Sequence, residues 1–224
     1  MRPRSKSQAQ AAYSPDYESS LVALIAQQAA TATAFGRRNW THVRRELVIG
    51  SSIADLVLFS NSTQAVPFSS ALSVKECVVL AAVRQRGATT LGDVARISGD
   101  PKASVARRLA SKGFFSIVND RITAIRRWWS RRCSVVAIEA KLVRWREALD
   151  QATAYRAYAD ASYVALPEAS FARALGAQDC FLSAGVGLIS VSPSGVRILV
   201  RAPRSEHHGW RREFACSRLA TTSN

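Results

Sequence analysis

An α/β fold is predicted: a mixed sheet flanked by helices, with a small subdomain inserted between two of its strands. Three observations predict it. Residues 135–167 (VVAIEAKLVRWREALDQATAYRAYADASYVALP) pass from one apolar run, Val135 to Ile138, through an amphipathic segment to a second apolar run, Tyr163 to Leu166. That pattern reads as strand, helix, strand. Earlier, two β-rich runs, His42 to Ile49 and Ile53 to Phe59, flank the turn signal Gly50-Ser51-Ser52. Between these regions, from Ser73 on, the character changes to short, capped helices.

The 224 residues can hold one sizeable domain with a smaller one inserted. Apolar residues make up 48% and charged residues 21%, which excludes a wholly disordered chain. The net charge is +15, from 31 basic and 16 acidic residues, and favours a polyanionic partner. No run of 18 apolar residues occurs, and no basic amphipathic helix suits a membrane surface, so no membrane partner is expected. The basic N-terminus leads into a polar segment, not the apolar core of a signal peptide, and a cytoplasmic location is predicted. Cys77, Cys133, Cys180 and Cys216 are widely spaced and read as free thiols. Neither His42 nor the doublet His207-His208 has the spacing of a zinc site, and no Gly-rich phosphate loop is present.

Taken in order, residues 1–14 read as a disordered basic arm. A helix follows over residues 15–35, with Leu21, Leu24, Ile25 and Ala29 at helical spacing, Ser14 as its cap and Gly36 as its stop. In the second strand Asp55 interrupts an otherwise apolar run. It is either an edge residue facing water or a carboxylate at an active-site rim. Residues 61–72 form a polar Ser/Thr/Pro linker. Ser73 and Glu76 fit a capping box for a helix ending at Gly87, and Thr90 with Asp93 fits a second, with Leu91, Val94, Ala95 and Ile97 as its apolar face. Asp100-Pro101 opens a third helix that stops at Gly113. A hairpin follows, Phe114 to Val118 and Arg121 to Ile125 about Asn119-Asp120.

Three short helices and a hairpin are the layout of a winged helix-turn-helix. In its third helix Val105 and Leu109 face inward, while Ser104, Arg107, Arg108 and Ser111 share another face with Lys102 and Lys112 near it. Short polar groups and arginines on one exposed face suit a recognition helix, and Arg121 sits where a wing would touch the backbone. The bland alternative is a solvated basic face. Arg126 and Arg127, followed by Trp128, Trp129, Arg131 and Arg132, suit either a phosphate backbone or a seam between modules. Past residue 167 the pattern predicts a helix over 168–175 and a hairpin, Val186 to Val191 and Gly195 to Arg201. Residues 202–224 read as a flexible basic tail.

Glu139 and Lys141, two apart on a strand, point to the same side of the sheet. Burying both is costly unless they have a partner or a task. Without the insert the order is helix, strand, strand, strand, helix, strand, helix, hairpin. With Asp55 on the second strand, Glu139-x-Lys141 on the third and Gln151-x-x-x-Tyr155 on the next helix, the chain resembles the PD-(D/E)XK, or restriction-endonuclease-like, nuclease superfamily. The likeness covers residues 15–60 and 133–201 as a nuclease-like core, with residues 61–132 as the inserted winged helix-turn-helix and its linkers. Ala54 stands where the motif has proline, and the long gap between Asp55 and Glu139 is accounted for by the insert.

The resemblance implies Mg²⁺ (or Mn²⁺) held by the Asp55 and Glu139 carboxylates and the Ala140 carbonyl. It implies that Lys141 orients a water or steadies transition-state charge, with Gln151 and Tyr155 overlooking the site and touching nucleic acid or Lys141. Glu18 and Glu46 are candidates for a further ligand or a supporting role. The function implied is a metal-dependent endodeoxyribonuclease that binds DNA through its winged helix, as a monomer or a homodimer. The alternative is a non-catalytic DNA-binding transcriptional regulator with a vestigial nuclease core.

Overall fold

The structure is a computed structural model, and it describes residues 16–29, 40, 42–60, 71–86, 88–124, 133–205 and 209–221. The basic arm at residues 1–14, most of the linker at 61–72, and the Arg126, Arg127, Trp128, Trp129 segment lie outside them. In chain order the elements begin with α1 (Glu18–Ala29), β1 (His42–Ile49) and β2 (Ser52–Ser60). Then come α2 (Val74–Arg86), β3 (Ala88–Thr90), α3 (Leu91–Ser98), α4 (Ser104–Ser111), β4 (Phe115–Val118) and β5 (Arg121–Ala124). The chain continues with β6 (Ser134–Ala140), α5 (Trp145–Tyr155), β7 (Ala161–Pro167), α6 (Phe171–Leu175) and α7 (Gln178–Ala184). It closes with β8 (Gly187–Ser192), β9 (Gly195–Val200) and α8 (Trp210–Thr221).

Six strands form one mixed sheet in the order β1-β2-β6-β7-β8-β9. The two hairpins, β1–β2 and β8–β9, are antiparallel, as short turns require, whereas β6, β7 and β8 run parallel because helices cross over between them. The sheet is buried on both faces. Val57, Phe59, Val135 and Ala137 pack with Ala148, Ala152 and Tyr155 of α5. Leu56, Leu58, Val136 and Ile138 pack with Leu21, Val22 and Ile25 of α1. Every residue of β6 is buried, which explains its unbroken apolar run at the centre of the sheet.

Between β2 and β6 in the chain, residues 74–124 run helix, short strand, two helices and a hairpin, with the strands in a second sheet of order β3-β5-β4, and their buried side chains share one core with the main sheet. Both capping boxes form. The Ser73 hydroxyl takes the Glu76 N–H while Glu76 takes the Ser73 N–H, and Thr90 pairs with Asp93 in the same way. The hairpin turns through Asn119 and Asp120, both at positive φ (47° and 66°), as a two-residue hairpin turn requires. The third helix starts later than Asp100-Pro101 suggests. Pro101 and Lys102 make a turn, and Asp100 caps from outside, its Oδ2 accepting from the Val105 N–H at 3.0 Å and the Ser104 hydroxyl at 2.5 Å.

The C-terminal segment corrects the expectation of a loose tail over 202–224. Residues 210–221 form α8, which packs against α2 and β1. Much of its buried face is polar: Arg212, Glu213 and Ser217 are buried along with Phe214, Ala215, Cys216 and Leu219. Arg212 donates to Tyr158 O (2.8 Å), Cys133 O (2.9 Å) and Asp160 Oδ2 (2.9 Å), and Arg84 meets Glu213 at 2.6 Å. A helix held by paired charges reads, in sequence, as a solvated one. The helix α7 is likewise absent from the sequence prediction, because Gly176-Ala177 breaks the pattern after α6. Cys77, Cys133 and Cys216 are buried thiols outside any disulfide, and Cys180 is an exposed one. Among the described residues no helix is long and apolar enough to cross a membrane.

Candidate active site and nucleic-acid interface

The β2–β6 ladder ends at the Leu56–Ile138 pair. One residue further on, a side chain takes over from the backbone: Asp55 Oδ2 accepts the Ala140 N–H at 2.8 Å. Asp55 is therefore neither an edge residue nor a core defect. Glu139 lies on β6 beside it, 1% exposed. Lys141 follows β6, its N–H held by Ala165 O of β7 at 3.1 Å, and its ammonium lies 3.1 Å from Glu139 Oε1 and 3.3 Å from Glu18 Oε2 of α1. Tyr155, the last residue of α5, closes the other side. Its hydroxyl lies 2.5 Å from Glu139 Oε2 and 2.6 Å from the Ile53 carbonyl of β2. The splayed ends of two strands are thus pinned together by one acid, one phenol and one lysine.

Charge is out of balance here. Burial raises the Glu139 pKa above the usual carboxylate range, and the nearby Asp55 raises it further, against the Tyr155 and Lys141 bonds that lower it. Burial also raises Asp55, despite the Ala140 N–H and Lys141. Lys141 is held above its ordinary value: burial opposes its charge, but Glu139, Glu18 and Asp55 outweigh it. One lysine serves three acids. The phenol adds a constraint, because it has one proton and two acceptors within reach. It can therefore donate to Glu139 Oε2 or to the Ile53 carbonyl, but not to both at once.

Of the residues singled out by sequence, Asp55, Glu139, Ala140, Lys141 and Tyr155 come together, with Glu18 joining through Lys141. Glu46, at φ 51° in β1, is close enough to raise the Asp55 pKa. Ala140 meets Asp55 through its N–H, whereas the resemblance implies a carbonyl serving as metal ligand. Tyr155, expected to touch Lys141 or nucleic acid, is 1% exposed and instead bonds Glu139 and Ile53 O. Gln151, one turn earlier on α5, is exposed and takes no part in the hydrogen bonds of the cluster. Among the described residues no three His, Cys, Asp or Glu side chains are grouped to hold a metal. The links from Tyr155 to Glu139 and from Glu18 to Lys141 are not legible as such, since no spacing encodes them.

The nucleic-acid candidates divide. Lys102, Arg107 and Arg121 are exposed. Arg108 is exposed but leans on its own helix and on Glu76, with NH1 at 3.3 Å from the Ser104 hydroxyl and Nε at 3.9 Å from Glu76 Oε1. The Ser104 and Ser111 hydroxyls are spent locally, on Asp100 and on Arg108 O. The Lys112 ammonium is bound to Glu76 at 2.8 Å and joins the end of α4 to α2. Arg126 and Arg127 lie outside the described residues.

No protein-family model and no curated protein matches the chain. Among solved structures it is similar to a protein of unknown function from Silicibacter pomeroyi, at 20% identity, covering 53% of this chain and 80% of that one, with a TM-score of 0.31.

Proposed function

We propose that the chain is a metal-dependent DNA nuclease. On this reading its core, residues 15–60 and 133–201, is built on the PD-(D/E)XK plan, and the unit at 74–124 is a winged helix-turn-helix. The observation that carries the reading is the replacement of the β2–β6 ladder by the Asp55 carboxylate at Ala140, with Glu139 and Lys141 alongside. Two hard carboxylates that share a buried corner and both resist ionisation fit a small divalent cation, which takes one or two protein carboxylates and keeps several waters. Asp55 and Glu139 would hold it, and when bound it supplies Lewis-acid polarisation of a phosphoryl oxygen and an acidified water.

The chain's own residues do the rest. Tyr155 fixes the Glu139 carboxylate against β2. Glu18 and Glu139 hold the Lys141 ammonium at the mouth of the cluster, where it can orient a water or meet charge developing on a phosphate. The unit at 74–124 adds the order helix, strand, helix, helix, hairpin, with Lys102, Arg107 and Arg121 outward, and the net charge of +15 favours DNA. The test is cleavage of DNA by purified protein with Mg²⁺ or Mn²⁺. Asp55→Ala and Lys141→Ala should each abolish cutting while binding is retained; unchanged cutting in both removes the assignment.

A second reading, a non-catalytic DNA-binding regulator, draws on the fact that both Glu139 oxygens already have partners, Lys141 and Tyr155. It predicts tight duplex binding with steep salt dependence and no metal-dependent cutting.

A further inference from the structure

A cleft of about 500 Å³ opens along the outer edge of the sheet, at β1. Five consecutive residues of β1, Arg44 to Val48, form one wall, and Val74, Phe214 and Arg218 bring α2 and α8 to the other. Its size suits a nucleotide-sized ligand, since such pockets run roughly 300–1,000 Å³. The wall is apolar, with Leu47, Val48, Val74 and Phe214; Val48 is 54% and Val74 46% exposed, large apolar surfaces left in water. The charged groups are Arg44, Arg45 and Arg218 against the single acid Glu46. The Arg218 guanidinium lies 5.2 Å from the centre of the Phe214 ring, so that arginine and aromatic ring stand together on one wall. Arg44 Nε is buried with no hydrogen-bond partner among the described residues.

β1 is the first strand of the sheet, and an open edge invites a peptide strand to add to it. Here that is opposed. Glu46, at φ 51°, breaks the extended backbone midway, and Arg44 and Arg45 precede it. A second copy of the chain would bring another +15 to a basic edge. What fits is a polyanion that also carries flat apolar faces. Glu46, which lines the cleft, is also near enough to Asp55 for its charge to raise the Asp55 pKa.

We propose that this cleft binds single-stranded nucleic acid. An unpaired base lies against the apolar wall at Phe214 and Val48, and the flanking phosphates lie on Arg44, Arg45 and Arg218. The inference rests on the nucleic-acid reading above and extends it: the inserted unit holds duplex, and the cleft holds a frayed strand on its way to the acid cluster.

The test is binding of the full chain to a fluorescent oligothymidylate and to a duplex of equal length, in EDTA, so that it does not depend on cutting. Arg45 and Arg218 are exposed, so Arg45→Ala with Arg218→Ala should leave the fold intact. The double variant should bind oligothymidylate about tenfold or more weakly. Its salt slope should fall by roughly 0.7 for each phosphate no longer neutralised, and duplex binding should change less. A 5-iodouracil oligonucleotide should photo-crosslink to β1 or α8 peptides. The proposal is overturned if the native chain does not bind oligothymidylate, if the double variant binds it unchanged, or if crosslinks fall only on α4. It is also overturned if poly-glutamate competes as well as oligothymidylate, which would point to an acidic protein instead. Failure of metal-dependent cleavage, read separately, bears on the acid cluster alone.

Discussion

Glu76 and Glu139 are near twins with opposite behaviour. Each is buried, 4% and 1% exposed, each pairs with a lysine, at 2.8 and 3.1 Å, and each meets a hydroxyl, of Ser73 or Tyr155. Yet the Glu76 pKa is lowered, although burial alone would raise it, while the Glu139 pKa is raised. The difference lies in the company. Glu76 accepts a backbone N–H at a helix start and has Lys112, with Arg108 near, to itself. Glu139 shares Lys141 with Glu18 and lies beside Asp55. A buried acid whose demands are met is a rivet; one left in excess is available for chemistry.

The sharpest way to break this contrast is on activity. On the nuclease reading, Lys141→Ala should abolish cutting, a loss of at least about 10²–10³-fold, whereas Lys112→Ala should leave the rate of cutting by folded protein unchanged. The next largest effect is on stability. Glu76→Ala removes a cap and leaves Lys112 without its acid, and should cost about 2–4 kcal/mol in urea unfolding. Glu139→Gln should change stability by no more than about 1 kcal/mol while cutting is lost.

The two acids also have opposite pH signatures. The stability contributed by Glu76 is present above the ordinary 4.5 of a glutamate and is lost as pH falls through its lower folded value, so Glu76→Gln should flatten the acid limb of a Tm profile. The contribution of Glu139 is present below 4.5 and is lost as pH rises through its higher folded value. Glu139→Gln should therefore lessen the fall in Tm as pH rises above 4.5. Smallest of all, Ser73→Ala should cost about 1 kcal/mol, the worth of a helix cap.

The sheet is legible in sequence because its strands are apolar runs bounded by turns, and both capping boxes because their partners are three residues apart. Asp55 and Glu139 can be paired only through the resemblance, since 84 residues separate them. The roles of Tyr155 and Lys112 are not legible. A phenol that bonds a carboxylate and a lysine that joins two helices look, in sequence, like ordinary residues of amphipathic helices. Nor is α8, whose buried face at Arg212, Glu213 and Ser217 is polar and satisfied by partners 52 to 145 residues away. Local pattern encodes what is near; paired charge across the fold leaves no period to read.

Adjacent residues of α8 grip different parts of the molecule. Arg212 holds the start of β6 and the approach to β7, while Glu213 holds Arg84 of α2. Residues 74–124 share one apolar core with the sheet, and the Arg84–Glu213 pair adds a polar tie between α2 and α8. If the unit grips duplex and the acid cluster cuts it, the span between grip and cut is then set by the scaffold, and breaks should fall at a constant offset from the bound site. Loosening Arg84 from Glu213 should spread that offset over several phosphates without lowering the number of breaks.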